Sequence, residues 1–459
     1  MFVAGMAVWL CSEMPRGDMV NADELRTAER SREMLLRGRS TVFFNFKPSF
    51  AKPPLQYWLT SLTLSRFSNP AAGVRIWSIT YAVLTVCALA LLAFTVGPGE
   101  AWLVPISVAL AVSCPFISAE SVRGYLDMGL AFFTTAAIVC SQLARKEPRW
   151  WLGVAVACWL SALQKVPLVL LIWLIVVTVR YFDPLELRTL KTKWLPLSFL
   201  LAFALVAIWP LFQFVYYHMP LARAFTGDDL PVLLGPKRLG ANLVFEVVTR
   251  FLGTGWIGGP FAVIAAIGLL SLRYGRNARP IREIAIIALT LTILALVFGF
   301  RSVRYLIPVI PAFCLVLAFA ILFLARKWRW AAILFPTALV IGGVIQSQTK
   351  IRSRQQNATA EMRMAEELGR QQNENATILL IKSSNQNDRE LLYTHFYLFY
   401  GNLRYPVERQ TLSQVQQSPP HLPATGVCLA RDFPIIHGLL PEAKVVRRES
   451  KFVCWVAQQ

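Results

Sequence analysis

Apolar residues run through this chain in long blocks separated by short polar connections. The blocks centre on 74–95, 101–119, 127–143, 150–162, 166–181, 194–216, 256–273, 284–299, 305–325 and 329–347. A helix needs roughly 20 apolar residues to cross the hydrocarbon of a bilayer, so each block reads as a membrane span. A further apolar run, 2–14, is short for a span. It reads as the remnant of a first span or as a signal-peptide core, although no small-residue cleavage site clearly follows. With it, the pattern predicts about eleven spans, some of them short.

The connections differ in charge. Those at 145–149, 180–193, 273–282 and 326–329 are rich in Lys and Arg, and basic loops stay in the cytoplasm. The alternate set then faces outward: 15–73, the 120–126 turn, the turn at Gln164 and Lys165, the 217–255 loop, the turn at Arg301–Arg304 and the tail. From about residue 350 the composition changes. Segment 355–372 reads as a polar helix, 376–381 as a strand, 390–400 as a helix, and 426–430 and 452–457 as strands. This predicts a polytopic portion over 1–349, with an outer-face loop at 15–73, and a small extracytoplasmic α/β domain over 350–459.

The most polar stretch near the front is 21–58. Asn21 is placed to cap a helix, with Glu24 three residues on to reach back to the cap. Leu25, Ala28 and Leu35 recur at helical spacing, with Arg26, Glu29, Arg30 and Glu33 turned elsewhere. That is an amphipathic helix suited to lie along a membrane face. Lys52 and the stiff pair Pro53-Pro54 then end one element before Leu55-Gln56-Tyr57-Trp58 starts another.

Two motifs in this stretch carry a resemblance. Asp23-Glu24-Leu25-Arg26-Thr27-Ala28-Glu29, closing on Arg32-Glu33-Met34, resembles the D-E-x-R-x-A-E…R-E-M opening of polytopic GT-C-type glycosyltransferases. That superfamily includes the lipid A aminoarabinose transferases and the protein O-mannosyltransferases. Lys52-Pro53-Pro54-Leu55 with Tyr57-Trp58 is similar to its E-K-P-P-L-x-Y-W, in the same order and spacing. Ala51 departs from the pattern, since many relatives carry Glu there. The resemblance implies a membrane all-α, GT-C-like fold with an amphipathic outer-face loop and a small C-terminal α/β domain. It also implies an extracytoplasmic site in the bacterial plasma (inner) membrane, in agreement with the charge count.

Composition sharpens the class. Of 459 residues 56% are hydrophobic and 16% charged, which a multi-span membrane protein needs and an ordinary soluble core does not. The net charge of +20 is explained by basic cytoplasmic loops, and no nucleic-acid-binding motif accompanies it. Of the cysteines, Cys11, Cys87, Cys114, Cys140, Cys158 and Cys314 fall in apolar runs without metal spacing and read as buried filler. Cys428 and Cys454 lie in the tail within predicted strands. They are either a disulfide of an oxidising compartment or two buried thiols.

Sugar transfer from a lipid phosphate needs a base, groups that orient the sugar, and positive charge for the departing phosphate. Asp23 and Glu24 offer the base, although helix physics alone makes them first-turn acids that favour the dipole. The resemblance implies that Asp23 is the catalytic carboxylate, with Arg26 beside it. Asp127 is the second carboxylate, within Arg123-Gly124-Tyr125-Leu126-Asp127-Met128 at the mouth of a span, similar to the family's R-x-x-x-D-M. An acid there is costly unless it has a role; the plain alternative is a solvated loop acid. Lys52 is either a snorkelling interfacial lysine or a phosphate ligand. Lys165, in Gln164-Lys165-Val166-Pro167, resembles a T-K-G-P turn, and Arg301, Arg304 and Tyr305, before Leu306-Ile307-Pro308, resemble K-x-x-R-Y-L-x-P. Cations on outward turns are natural partners of a lipid phosphate.

Gly253-Thr254-Gly255-Trp256-Ile257-Gly258 fits a dinucleotide fingerprint but opens a span and follows no strand. Relatives can hold a metal with the Glu before the Lys and a loop His. Here Ala51 replaces the first and His218 sits at a membrane edge, so no metal set is assigned and a divalent metal stays open. No ATP-binding loop is present. The implied partners are a polyprenyl-phosphate sugar donor, membrane lipids and a glycan, lipid or protein acceptor. The implied activity is that of a hexosyl- or pentosyltransferase acting with inversion. Two other readings share the many spans: a flippase of lipid-linked sugars, which would show internal repeats and mid-membrane polar residues, and a non-catalytic envelope protein of the same fold.

Overall fold

The computed structural model describes residues 2–38, 40–50, 52–220, 279–297, 303–353, 358–382, 394–449 and 451–458. These form two compact units. One comprises Met1–Pro15, Phe50–Gln56 and Arg75–Arg354; the other comprises Arg16–Ser49, Tyr57–Val74 and Gln355–Gln459.

The first unit is helical. The apolar blocks become the helices Pro70–Val96 (all but its first turn in this unit), Leu103–Ser113, Pro115–Ser121, Asp127–Leu143, Trp151–Gln164, Leu168–Tyr181, Trp194–Tyr217, Arg279–Val297, Ile310–Lys327 and Ala331–Arg352. Among the described residues, Pro70–Val96, Trp194–Tyr217 and Arg304–Arg326 are each long and apolar enough to cross a bilayer. The 101–119 block is not one straight span. Cys114 takes an extended conformation, as residues before proline do, and the chain bends by 51° into Pro115–Ser121. Counted as one broken span, the pair makes a fourth. Phe2–Glu13, Asp127–Leu143 and Leu168–Tyr181 are apolar but shorter. Among the described residues the unit is mostly helical, with three or four spans by length and composition where the whole chain is expected to have about eleven; the 256–273 block lies outside the described residues. Trp194–Tyr217 leaves large apolar side chains open, with Leu200 67% and Phe203 69% exposed. Such a surface suits lipid rather than water.

The basic connections converge. Arg180 makes a two-pronged pair with Glu283, Nε to Oε2 at 2.9 Å and Nη2 to Oε1 at 3.0 Å, and donates to the Ser141 carbonyl at 2.7 Å. Arg145 joins from a second connection, reaching Glu283 and Glu186 at 3.0 Å each. Gln142 donates to Glu283 at 2.7 Å. Glu283 and Arg180 are almost wholly buried, so removing one partner would strand a charge away from water. Three of the four connections grouped by charge therefore meet at one end of the Asp127–Leu143 helix. Asp127 opens the other end, about 25 Å away along a helix of this length.

The second unit is built on a five-stranded sheet in the order β4-β3-β5-β7-β6. Its strands are β3 (Thr377–Lys382), β4 (Val407–Thr411), β5 (Ala424–Leu429), β6 (Lys444–Glu449) and β7 (Phe452–Ala457); a hairpin of β1 (Phe43–Phe44) and β2 (Lys47–Pro48) precedes them. β3 runs parallel to β4 and β5, and β7 antiparallel to β5 and β6. Alternation sorts the side chains. Ile378, Leu380, Val427 and Cys454 face the core shared with the helices Ala22–Arg37, Thr359–Arg370 and Thr394–Tyr400. Leu379, Ile381, Cys428, Val453 and Trp455 face the core under Leu412–Gln417 and Phe433–Leu439. This register answers the disulfide question. Cys428 pairs with Val453 while Cys454 pairs with Val427. The two cysteines stand one step apart, hence on opposite faces of the sheet, and both are buried free thiols.

The helix Ala22–Arg37 starts where expected, with Asn21 Oδ1 accepting from the Asp23 N–H at 3.0 Å. Its charged side is not turned to solvent or a membrane face. Glu24, Glu29, Arg30, Arg32 and Glu33 are all buried, and only Arg26 of the expected polar set is exposed. Arg32 holds Glu29 with two bonds of 2.8 Å and donates to Asn402 and the Leu403 carbonyl. Burial pushes the Glu29 carboxyl up to about 8 against the pull of Arg32. Arg30 donates to the Tyr57 hydroxyl at 2.8 Å, so the tyrosine of the second motif anchors the helix of the first.

Glu33 has a sharper task. Its carboxylate accepts from the backbone N–H of Asn45 at 2.7 Å and of Phe46 at 2.8 Å. Those residues form the β1–β2 turn with φ of 52° and 61°. The turn requires left-handed backbone at both positions, where glycine is usual and a bulky aromatic is strained. The Asn45 side chain adds two bonds to the Val407 backbone, 2.8 and 2.7 Å. Substituting Glu33→Gln keeps the shape but leaves one turn N–H facing an amide NH2. We expect a loss of about 2 kcal/mol, read as a melting temperature several degrees lower for the full chain in detergent. An unchanged melting temperature would show that the turn holds itself.

Candidate active site

The candidate site residues fall into two clusters, one in each unit. In the helical unit the cluster grows from three connections. Asp127 is the first residue of its helix, where the dipole favours a negative charge. Lys165 ends the helix Trp151–Gln164, and its Nζ lies 2.6 Å from Asp127 Oδ1. The pair is nearly buried, with 12% and 6% of the side chains exposed. Arg304 and Tyr305 come from the tight turn Val303–Val309. Lys165 Nζ sits 4.7 Å from the centre of the Tyr305 ring, and the Arg304 guanidinium stacks between Tyr305 and Tyr125 at 5.6 and 5.5 Å. Arg123 donates to the Tyr125 hydroxyl at 2.7 Å. Aromatic faces thus hold cations close together, an arrangement suited to a phosphate.

Gln164 braces the cluster. Its Nε2 donates to the Leu126 carbonyl and to Gln56 Oε1, both at 3.0 Å. Gly129 makes room for it, since a methyl there would lie 2.5 Å from the Gln164 amide. Gln56 in turn ties the 50–56 segment, which carries Lys52, to the cluster. Lys52 is half-buried.

In the second unit Asp23 lies in the first turn of its helix with about a third of its side chain exposed, and its Oδ1 accepts from Arg26 Nη1 at 3.0 Å. Glu24 beside it is buried at 2% exposure. The structure therefore brings Asp127, Lys165, Arg304 and Tyr305 together in one unit, and Asp23, Glu24 and Arg26 in the other. Arg301 lies outside the described residues. Sequence reasoning missed Tyr125, Gln56 and Gln164, which only the folded contacts reveal. It also missed His395, whose ring stacks on Phe44 with centres 4.2 Å apart. Burial, then the charges of Arg26 and Arg30, lower the His395 imidazole to about 3. As for a metal, Ala51 offers no ligand atom, and among the described residues no three His, Cys, Asp or Glu side chains gather.

No family model matches the chain. A stretch of 229 residues, 45% of this chain, is 28% identical to the undecaprenyl phosphate-alpha-4-amino-4-deoxy-L-arabinose arabinosyl transferase of Pseudomonas savastanoi pv. phaseolicola (strain 1448A / Race 6). The match spans 41% of that relative's length. The crystal structure of ArnT from Cupriavidus metallidurans bound to undecaprenyl phosphate superposes with a TM-score of 0.73 at 18% identity, over 99% of this chain and 97% of that one. Its apo form gives 0.70. The oligosaccharyltransferase of Archaeoglobus fulgidus, tethered to an acceptor peptide, gives 0.56 at 14% identity, over 89% of this chain and 63% of that one. The chain is thus similar to polytopic transferases of the GT-C kind, as its two opening motifs indicate, and it has the fold of the crystallised ArnT.

Proposed function

We propose that this chain transfers a sugar from a polyprenyl-phosphate donor to an acceptor hydroxyl, on lipid A, another glycan or protein. The observation that carries the reading is the gathering of Lys165 and Arg304 on Tyr305 and Tyr125 beside Asp127, in a fold shared with a transferase crystallised with undecaprenyl phosphate. The acceptor oxygen attacks the anomeric carbon. The bond from that carbon to the phosphate oxygen breaks, and its electron pair leaves with polyprenyl phosphate. The acceptor proton passes to Asp23. Lys165, Arg304 and Lys52 offset the charge developing on the phosphate, Arg301 adds to them, Tyr305 orients Lys165, and Arg26 and Glu24 set the environment of Asp23. A single displacement inverts the anomeric centre. Residues 1–349 are the polytopic portion and 350–459 an extracytoplasmic domain of a bacterial inner-membrane protein, with the site on the outer side.

The test uses the purified full chain with undecaprenyl-phosphate-linked 4-amino-4-deoxy-L-arabinose and other lipid-phosphate sugars. Acceptor-dependent release of free undecaprenyl phosphate is expected with at least one donor. Binding of every donor without release would point to a flippase or a non-catalytic protein.

A further inference from the structure

The sheet-bearing unit holds a second feature beside Asp23. Asp23, Arg26 and Arg30 are spaced three and four residues apart and so share one stripe of their helix. The helix Thr394–Tyr400 packs against that helix, and His395 lies in its first turn. Phe44, delivered by the Glu33-braced hairpin, stacks on His395 with ring planes 17° apart. The Arg30 guanidinium lies 5.9 Å from the centre of the Phe44 ring on one side of this group and 5.4 Å from that of Tyr57 on another. Ring contacts thus hold His395, Phe44, Arg30 and Tyr57, while Asp23 and Arg26 share an exposed ion pair.

The cluster is also incompletely satisfied. Among the described residues, His395 Nε2 and Arg30 Nε are shielded from solvent and have no hydrogen-bond partner. Arg30 is only 7% exposed. Leaving such a group unmatched costs about 1–3 kcal/mol, and an ordered water, an ion or a functional role is the usual reason that one persists. The imidazole is electrically neutral in this setting. Burial, Arg26, Arg30 and Arg409 all disfavour its protonation, and only Asp23 opposes them. A neutral imidazole stacked on an aromatic face is well placed to orient a hydroxyl and poorly placed to carry charge.

We propose that His395 orients the acceptor, its Nε2 hydrogen-bonding the hydroxyl that Asp23 deprotonates. The C-terminal domain thereby takes part in acceptor selection through a side chain of its own. This rests on the transferase reading above.

The test compares His395→Phe and His395→Gln in the full chain, with undecaprenyl-phosphate-linked 4-amino-4-deoxy-L-arabinose as donor and lipid A as acceptor. Phe preserves the stack on Phe44 and removes the nitrogen; Gln can place an amide near the site of Nε2. For His395→Phe, kcat/KM for the acceptor should fall about tenfold, the worth of a neutral hydrogen bond. Donor KM, slow hydrolysis of donor by water and melting temperature should stay at the unsubstituted values. His395→Gln should keep acceptor kcat/KM within about threefold of the unsubstituted chain. Unchanged acceptor kinetics in His395→Phe would overturn the proposal. So would equal losses of stability and donor hydrolysis in both variants, which indicate packing. Failure of the unsubstituted chain to release undecaprenyl phosphate under any condition is a separate result: it overturns the transferase reading, and this proposal with it.

Discussion

Asp23→Asn is expected to slow sugar transfer by a factor of about 10² to 10⁴, the usual contribution of a positioned general base, with little change in stability. The structure explains why the two effects separate. Asp23 is partly exposed, and its visible tie is to Arg26, half of whose side chain is in solvent. Surface pairs of this kind are worth about 0–1 kcal/mol, and the first-turn dipole adds a few tenths to about 1 kcal/mol. Asn keeps the size of the side chain and suits helix starts. Protein amount, membrane insertion and melting temperature should therefore match the unsubstituted chain, and donor KM should stay within about threefold, because a base contributes to the transition state rather than to donor binding. A simple helix-start acid would behave the other way round, with a small loss of stability and nearly full activity. Transfer at half the normal rate or better in Asp23→Asn would remove Asp23 from the chemistry.

What was legible in the sequence follows physical rules. The helices Asp127–Leu143 and Trp194–Tyr217 were readable almost to the residue, because one long apolar run with polar ends has one interpretation. Strands β3, β5 and β7 were readable because they are buried on both faces and contain little but apolar residues. Strands β4 and β6 were not. Val407–Thr411 and Lys444–Glu449 are mostly polar edge strands whose pairing, not their composition, makes them strands. The break at Pro115 was visible as a residue but hidden within an apolar block. The opening helix shows the deeper limit. Its cap and its apolar stripe were plain, yet its charged residues were misread as outward. Arg32 finds its partners at Asn402 and Leu403, some 370 positions away, and no local pattern announces that. The same holds for the site. The candidates Asp127, Lys165 and Tyr305 were named singly, but their contact, and the bracing by Gln56 and Gln164, exists only in the fold. His395 belongs to no local motif at all.

The contact between Asp127 and Lys165 leads to the second large expectation. An acid at the mouth of a span can touch the sugar or acceptor directly, or it can hold a cation in place. Oδ1 at 2.6 Å from Lys165 Nζ, in a nearly buried pair, favours the second. Lys165→Met keeps the length of the side chain and removes its charge. The rate should fall by about 10² to 10³, as when one preorganised group is withdrawn from a developing anion. Donor KM should rise as well, since the phosphate is charged before and after reaction. Asp127→Asn leaves an oxygen that accepts from Lys165 and should cost less, about 10-fold to 100-fold, through a lysine held less firmly. The decisive measurement is the double variant. If Asp127 acts only through Lys165, Asp127→Asn/Lys165→Met should be no slower than Lys165→Met alone, because residues that work as a unit are not additive. It should be more stable than Lys165→Met, in which the buried Asp127 carboxylate loses its cation. Multiplied losses in the double variant would mean that Asp127 meets the substrate independently and orients sugar or acceptor.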